Sequence, residues 1–400
     1  MNIVKIKTFF SFPKYDLKLG LLLLVEFVAL FIILRYVLGV SAQFMASADD
    51  GYYTHAVLGN GAIFQNGGGW MNYAILSWYR FFPVDWHPYV ALTFRFLFYF
   101  TALMIIRKLY SQDSTEKRIT YLVFMFPLLF YYVFKPSSEI FILPVLVYMI
   151  YQLAWDRIHK WHEYLVFFGC FFFISQMKPA LGTLAIYASI RVLLKKRYLL
   201  TTILIFSLFG NYWVFNQLSS DDTEGMPELS IVLFNGLRQK QIIKEVFSGE
   251  AELSNADYPA SVVRDYSYPE MQRILAEEGK TNIDMARYLI QHPEIVAANI
   301  GMNFFNLFGG IGRLYIAGPL FLFNFCIYLM VFFLTKKYNK KHFEIFMLCM
   351  AYLLFFLLLN VRFRYTYPVM PVVYYLFAVN MHHYLVQRRA QIKQSNPQPA

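Results

Sequence analysis

Charge is scarce in this chain: of 400 residues only 15% are Asp, Glu, Lys or Arg, where soluble proteins carry about a quarter. With 58% hydrophobic and 20% aromatic residues, the composition excludes a soluble globular protein and fits a polytopic membrane protein. Cysteine is scarcer still. Cys170, Cys326 and Cys349 are the only three, each inside an apolar run, so neither a disulfide framework nor a Cys/His zinc cluster is encoded. His55 and His87 stand without metal-ligand spacing around them and read as polar packing or substrate contacts. No internal repeat of the kind expected in secondary transporters is visible.

What is present is a series of apolar runs at roughly 17–40, 89–106, 119–134, 140–155, 198–217, 314–334, 343–359 and 369–386. About 20 mainly apolar residues cross a bilayer core. Two shorter runs, 164–176 and 180–194, are split by Lys178-Pro179. Arg157 and Lys160 precede that pair and Lys195, Lys196 and Arg197 follow it, so two helices turning at Lys178-Pro179 put both basic clusters on one side. The first run is too long for a cleavable signal core and holds Glu26 and Arg35, so it reads as an anchor.

The net charge of +11 is a topology signal. With the N-terminus inside, cytoplasmic segments receive Lys5, Lys7 and Lys14, the 107–118 cluster, Arg157/Lys160, 195–197, the 336–341 lysines and Arg388/Arg389/Lys393. Outer turns hold only Arg80, Lys135, Lys178, Arg362 and Arg364. The expectation is an all-α protein of about ten transmembrane helices with both termini cytoplasmic, and nucleic acid drops out as a partner.

Two outer segments exceed simple connections. Residues 41–88 mix glycine, aromatics and polar groups, and Met71 to Phe81 reads as an amphipathic interfacial helix anchored by Trp70, Trp78 and Tyr79. Residues 218–312 are the one soluble-looking stretch, with helical patterns around 230–247, 268–278 and 283–308. The organisation is thus 1–217 as a seven-helix module containing loop 41–88, then 218–312 as a small helical outer subdomain. Residues 313–400 add three helices and a basic tail.

On this topology, the polar residues in costly places converge on the outer face. Asp49 and Asp50 follow helix 1 in "SADDGYYTH". Lys135 and Glu139 flank "KPSSE", Lys178 sits at its turn, and Arg362 and Arg364 lie in "NVRFRYTYPVMP". Each has a plain alternative. An acidic pair suits a solvated helix end, and lone cations near an interface snorkel. Glu26 and Arg35 inside helix 1 suit either function or structural pairing.

These motifs together resemble the GT-C glycosyltransferases, in particular the branch with protein O-mannosyltransferases and the lipid A aminoarabinose transferase. There, an Asp/Glu motif in the first outer loop, often followed by Tyr-Tyr, supplies the catalytic carboxylate; Asp49-Asp50-Gly51-Tyr52-Tyr53 matches it loosely. "RYLIQHPEIVAANIGMNFFNLF" resembles a His-Pro helix leading into the next span. Arg364, Tyr365, Pro368 and Pro371 match a late Arg-Tyr-x-x-Pro-x-x-Pro turn. A seven-helix module before a large outer segment is also shared.

The resemblance implies an inverting transferase that moves a sugar from a polyprenyl-phosphate donor to a periplasmic glycan, lipid or exported-protein acceptor at a bacterial inner membrane. Asp49 or Asp50 would be the general base, worth typically 10²–10⁴-fold. Arg364, then Lys135, Arg362 and Lys178, would hold the departing phosphate. Tyr52, Tyr53, His55, Arg80, Glu139 and Tyr365 would line the substrate. No cofactor is expected, although a divalent metal would suit carboxylates facing a phosphate. Two other readings stand beside this one. A polymerase of lipid-linked glycan repeat units would share the outer cations without needing the acidic pair. A transporter would spread its polar residues along a path through the bilayer.

Overall fold

Each of the ten apolar runs is helical in the computed structural model, which describes residues 14–40, 75, 78–134, 139–177, 182–218, 229–248, 262–279, 281–309, 314–358 and 366–395. No strand occurs among the described residues. Among the described residues, three helices are long and apolar enough to cross a membrane, at Lys18–Val37, His87–Tyr110 and Pro319–Tyr338.

The first helix, α1 (Lys14–Ile32), continues through a π-turn at Ile33–Val37. Of its described side chains only Leu23 is fully buried, so α1 lies along the edge of the bundle. The second, α2 (His87–Ile105), also ends in a π-turn, at Ile106–Tyr110. Phe31 meets Tyr89 and Phe27 meets Phe96, with ring centroids 6.0 and 4.7 Å apart, so α1 and α2 run antiparallel.

The run at 119–134 reads as one helix in the sequence but is two, α3 (Ser114–Phe124) and α4 (Pro127–Phe134). Pro127 has no N–H to continue the ladder, and it disfavours helical geometry at Phe126. The carbonyl of Phe124 that this break releases accepts a hydrogen bond from the Tyr99 hydroxyl. Next come α5 (Glu139–Ala154), α6 (Trp161–Met177), α7 (Gly182–Leu194) and α8 (Tyr198–Leu218). Asp156 and Lys196, just past α5 and α7, take positive φ of 54° and 58°, the left-handed geometry that closes a helix C-terminus.

Between the apolar runs the soluble-looking segment is helical, as expected. It holds α9 (Ser230–Ser248), α10 (Tyr268–Glu278), α11 (Asn282–Gln291) and α12 (Pro293–Phe308). The expected 283–308 helix is broken at His292-Pro293. A capping box between Thr281 and Asp284 starts α11, and proline occupies the first position of α12, where its missing N–H costs nothing. Leu233, Leu237, Met271, Ile274, Leu275, Met285, Leu289 and Ile295 form a core separate from that of the bundle. The final helices are α13 (Leu314–Tyr338), α14 (Lys340–Leu358) and α15 (Met370–Ser395).

Side-chain contacts gather one set of helix ends. Arg191 donates to the carbonyl of Leu153 at 2.8 Å and pairs with Glu344 at 2.5 Å. Lys341 reaches the Ala154 carbonyl at 3.2 Å, and Arg197 pairs with Asp156. Tyr110 meets Trp155 edge to face, and His383 faces Glu116 at 3.6 Å. This basic end therefore collects the segments around 110–116, 154–158, 191–197, 341–344 and 383, all of which the charge pattern assigns to one side.

Only part of the expected interfacial helix is described. Trp78–Phe81 is a 3₁₀ turn rather than an α-helix, and Pro83 stops it two residues later.

Candidate functional site

The opposite, far end of the bundle carries the helix ends from which the candidate turns spring. Asp49, Asp50, Tyr52, Tyr53, His55, Lys135, Lys178, Arg362, Arg364 and Tyr365 lie outside the described residues. Arg80 belongs to the Trp78–Phe81 turn by its backbone. Glu139 is described, at the head of α5, 1% exposed. A carboxylate there is favourably placed toward the helix N-terminus, whose unpaired N–H groups carry partial positive charge.

Buried polar groups lie near these far ends as well as at the basic end, where Glu116, Thr120, Thr335, His342 and Asn380 are at most 3% exposed. Gln176, fully buried near the end of α6, donates to the carbonyl of Asn211 on α8 at 2.9 Å. Thr183 on α7 donates to the Ala351 carbonyl of α14 at 2.5 Å. On α12, Asn299, Asn303 and Asn306 recur at helical spacing, so one face presents all three. Asn303 donates to Asn299 Oδ1 and to the Leu357 carbonyl, both at 3.0 Å. It thereby ties α12 to the last turn of α14, which precedes Arg362 and Arg364 in the chain. On the other side of that segment Tyr367 donates to the Leu129 carbonyl at 3.2 Å.

Arg95 is the functional-looking residue that the sequence reading passed over. It sits in the middle of α2, 2% exposed, and is among the largest fully buried side chains. A lone arginine between apolar residues is itself the signal, the one that marked Glu26 and Arg35 in the first run, and it applies equally to Arg95. Three ring contacts fix its height in the bundle. Phe96 meets Phe27 of α1, Phe27 stacks on Phe134 at 5.1 Å, and Phe98 meets Phe141 of α5 at 5.0 Å. Glu26, Arg95, Glu139 and the end of α4 therefore occupy one layer, within about a helical turn of each other in height. An ionisable group at such a depth is costly in lipid, and its default reading is functional.

Helix lengths bear on the depth of that layer. With 16 and 13 residues, α5 and α7 are about 24 and 20 Å long, against a hydrocarbon core of about 30 Å. Beside the layer an apolar groove of about 450 Å³ runs along α2, lined by Phe82, Trp86, Tyr89, Thr93 and Leu97. Such a surface suits a lipid chain.

A different cluster lies at the basic end. Asp113, Glu116 and His383 bring ligand atoms within 4.8 Å of one another. Two of the three have local structural duties. Asp113 caps α3 by accepting the Glu116 N–H at 2.8 Å, and Glu116 accepts the Gln112 N–H at 2.6 Å.

Comparison of the chain with family models, with curated proteins and with solved structures finds no match.

Proposed function

We propose that the protein is an inverting glycosyltransferase that takes a sugar from a polyprenyl-phosphate donor at the periplasmic face of a bacterial inner membrane. The observation that carries this reading is the buried layer in which Arg95 of α2 lies level with Glu139 of α5, with buried polar side chains on α6 and α12 beside the same helix ends. Arg95, Glu139, Gln176, Asn299, Asn303 and Thr366 are all at most 3% exposed.

With the basic end at the cytoplasmic boundary, the far ends of α5 and α7 stop about 6–10 Å short of the opposite boundary. The heads of α5 and α7 then border a recess open to the periplasm, and ten helices span the membrane. The anionic headgroup of a lipid-linked sugar would enter that recess while its chain stayed in lipid along α2. Arg364, Lys135, Arg362 and Lys178 would meet the phosphate, whose negative charge grows as the anomeric C–O bond breaks. Asp49 or Asp50 would take the proton of the acceptor hydroxyl as it attacks from the face opposite the lipid phosphate. A phosphate leaving group needs no protonation, so one base suffices.

A repeat-unit polymerase would use the same cations, and the acidic pair separates the two readings. The test compares Asp49→Asn, Asp50→Asn and Arg364→Ala in full-length protein. Transfer should collapse in at least one Asp variant, and Arg364→Ala should raise the donor requirement more than the acceptor requirement. Full transfer in both single Asp variants and in their double variant would remove the base assignment and favour the polymerase.

A further inference from the structure

Glu26 is a carboxyl inside the most lipid-exposed span, and nothing in the base or phosphate chemistry uses it. Its surroundings are well defined. The next residue, Phe27, stacks on Phe134 with planes 12° apart and packs against Phe96. Tyr99 lies within electrostatic reach of both Glu26 and Tyr367. Glu26 is thus set beside the end of α4, and near the residue that follows Tyr365 and Thr366, on the side of α1 that faces the bundle.

One carboxyl oxygen, Oε2, is sealed from solvent and meets no hydrogen-bond donor. The two nearby hydroxyls cannot serve it, since Tyr99 gives its proton to the Phe124 carbonyl and Tyr367 gives its proton to the Leu129 carbonyl. Among the described residues no cation answers it either. Arg35, the other charge in the helix, lies over the Tyr36 ring, 5.9 Å from its centroid, more than two turns away along α1. A carboxyl retained for structure would have a donor, because an unsatisfied buried acceptor costs stability. Leucine would pack the same position without that cost. A side chain that weakens the empty protein and lies level with Arg95 and Glu139 has the properties of a ligand contact.

We infer that Glu26 is a specificity-determining residue whose carboxyl accepts a hydrogen bond from a hydroxyl of the donor sugar. This rests on the polyprenyl-phosphate reading above. A sugar presents several hydroxyl donors and a bare lipid phosphate presents none at that distance from the phosphate. Glu26 therefore discriminates the loaded lipid from the spent one, which favours release of polyprenyl phosphate after transfer.

The test uses full-length protein in lipid nanodiscs, with polyprenyl monophosphate and polyprenyl-phosphate-linked glucose, mannose and arabinose as probes. The wild type should bind at least one sugar-bearing lipid more tightly than polyprenyl monophosphate. Glu26→Leu should shrink that preference about ten-fold, as loss of one hydrogen bond to a charged group does. Its melting temperature should be equal or higher. Glu26→Gln, which keeps an acceptor, should retain most of the preference. If Glu26→Leu keeps the full preference, or melts several degrees lower, the inference is wrong while the donor reading stands. If the wild type binds none of the four lipids, the donor reading fails and the inference with it.

Discussion

Phe98 meets Phe141 edge to face, ring centroids 5.0 Å apart and planes at 85°, and that contact sets Arg95 of α2 level with Glu139 of α5. Two ionisable side chains, each at most 2% exposed, are thereby held at the same depth in a bundle whose core is otherwise mostly aliphatic and aromatic. Arg95→Ala would leave buried groups without the guanidinium they face, at a cost of about 1–3 kcal/mol or more. Thermal unfolding in detergent should register it as a lower melting temperature. Arg95→Lys should recover only part, because an ammonium lacks the planar fork of donors. Wild-type stability in both variants would show that Arg95 is not a structural element of the layer.

The outer subdomain depends on a close backbone approach. A Cβ built on Gly236 of α9 would lie 2.4 Å from Ile295 Cγ2 and 2.7 Å from the Ile295 carbonyl oxygen of α12. A backbone oxygen cannot move aside as a side chain can. Gly236→Ala should therefore destabilise the α9–α12 pairing by about 1–3 kcal/mol, despite alanine's better helix propensity. Faster amide exchange in 230–248 and 293–308, with the transmembrane helices unchanged, is the expected result.

Acid should loosen the same subdomain first. The Arg273 guanidinium, hydrogen-bonded to Glu270 at 2.6 and 2.9 Å, holds that carboxyl below the usual carboxylate range. Glu294 is also lowered, by its own backbone N–H at the start of α12 and then by Lys240. A carboxyl depressed on folding contributes fully above its unfolded value, near 4.3, and loses that contribution as pH falls through the lower folded value. Amide exchange in 268–308, corrected for intrinsic rates, should rise as pH drops below about 4. Glu270→Gln should flatten that dependence.

The sidedness of the bundle can be read with reporters. A fusion near residue 260 should behave as periplasmic, and fusions near 113 and 340 as cytoplasmic. Activity of the 260 fusion in the cytoplasm would overturn the ten-span arrangement.

Much of the helical order was legible because apolar runs and basic flanks are chemical facts of the chain. The turn at Lys178-Pro179 is a good example: each run there is too short to make a comfortable span, yet the flanking charges required two helices, and α6 and α7 are separate. The breaks at Pro127 and Pro293 were less visible, since an apolar run does not show where a proline will interrupt it and where it will merely kink. Within α5, Pro144 sits inside a continuous helix. The layer at Arg95 was illegible for another reason. Its depth is set by aromatic contacts between α1, α2, α4 and α5, and no single segment encodes that register. Glu26 was noticeable as a charge in a span, but only its surroundings show that no side chain among the described residues answers its Oε2.

The central claim is transfer from a lipid-phosphate sugar with Asp49 or Asp50 as base, and mass spectrometry of surface glycans and exported proteins tests it most directly. Cells lacking the gene, complemented with wild type or with the Asp49→Asn/Asp50→Asn double variant at equal membrane levels, are the comparison. One defined sugar addition should be lost with the gene, restored by wild type and not restored by the double variant. Restoration by the double variant, or an unchanged glycan profile in the deletion, would contradict that claim.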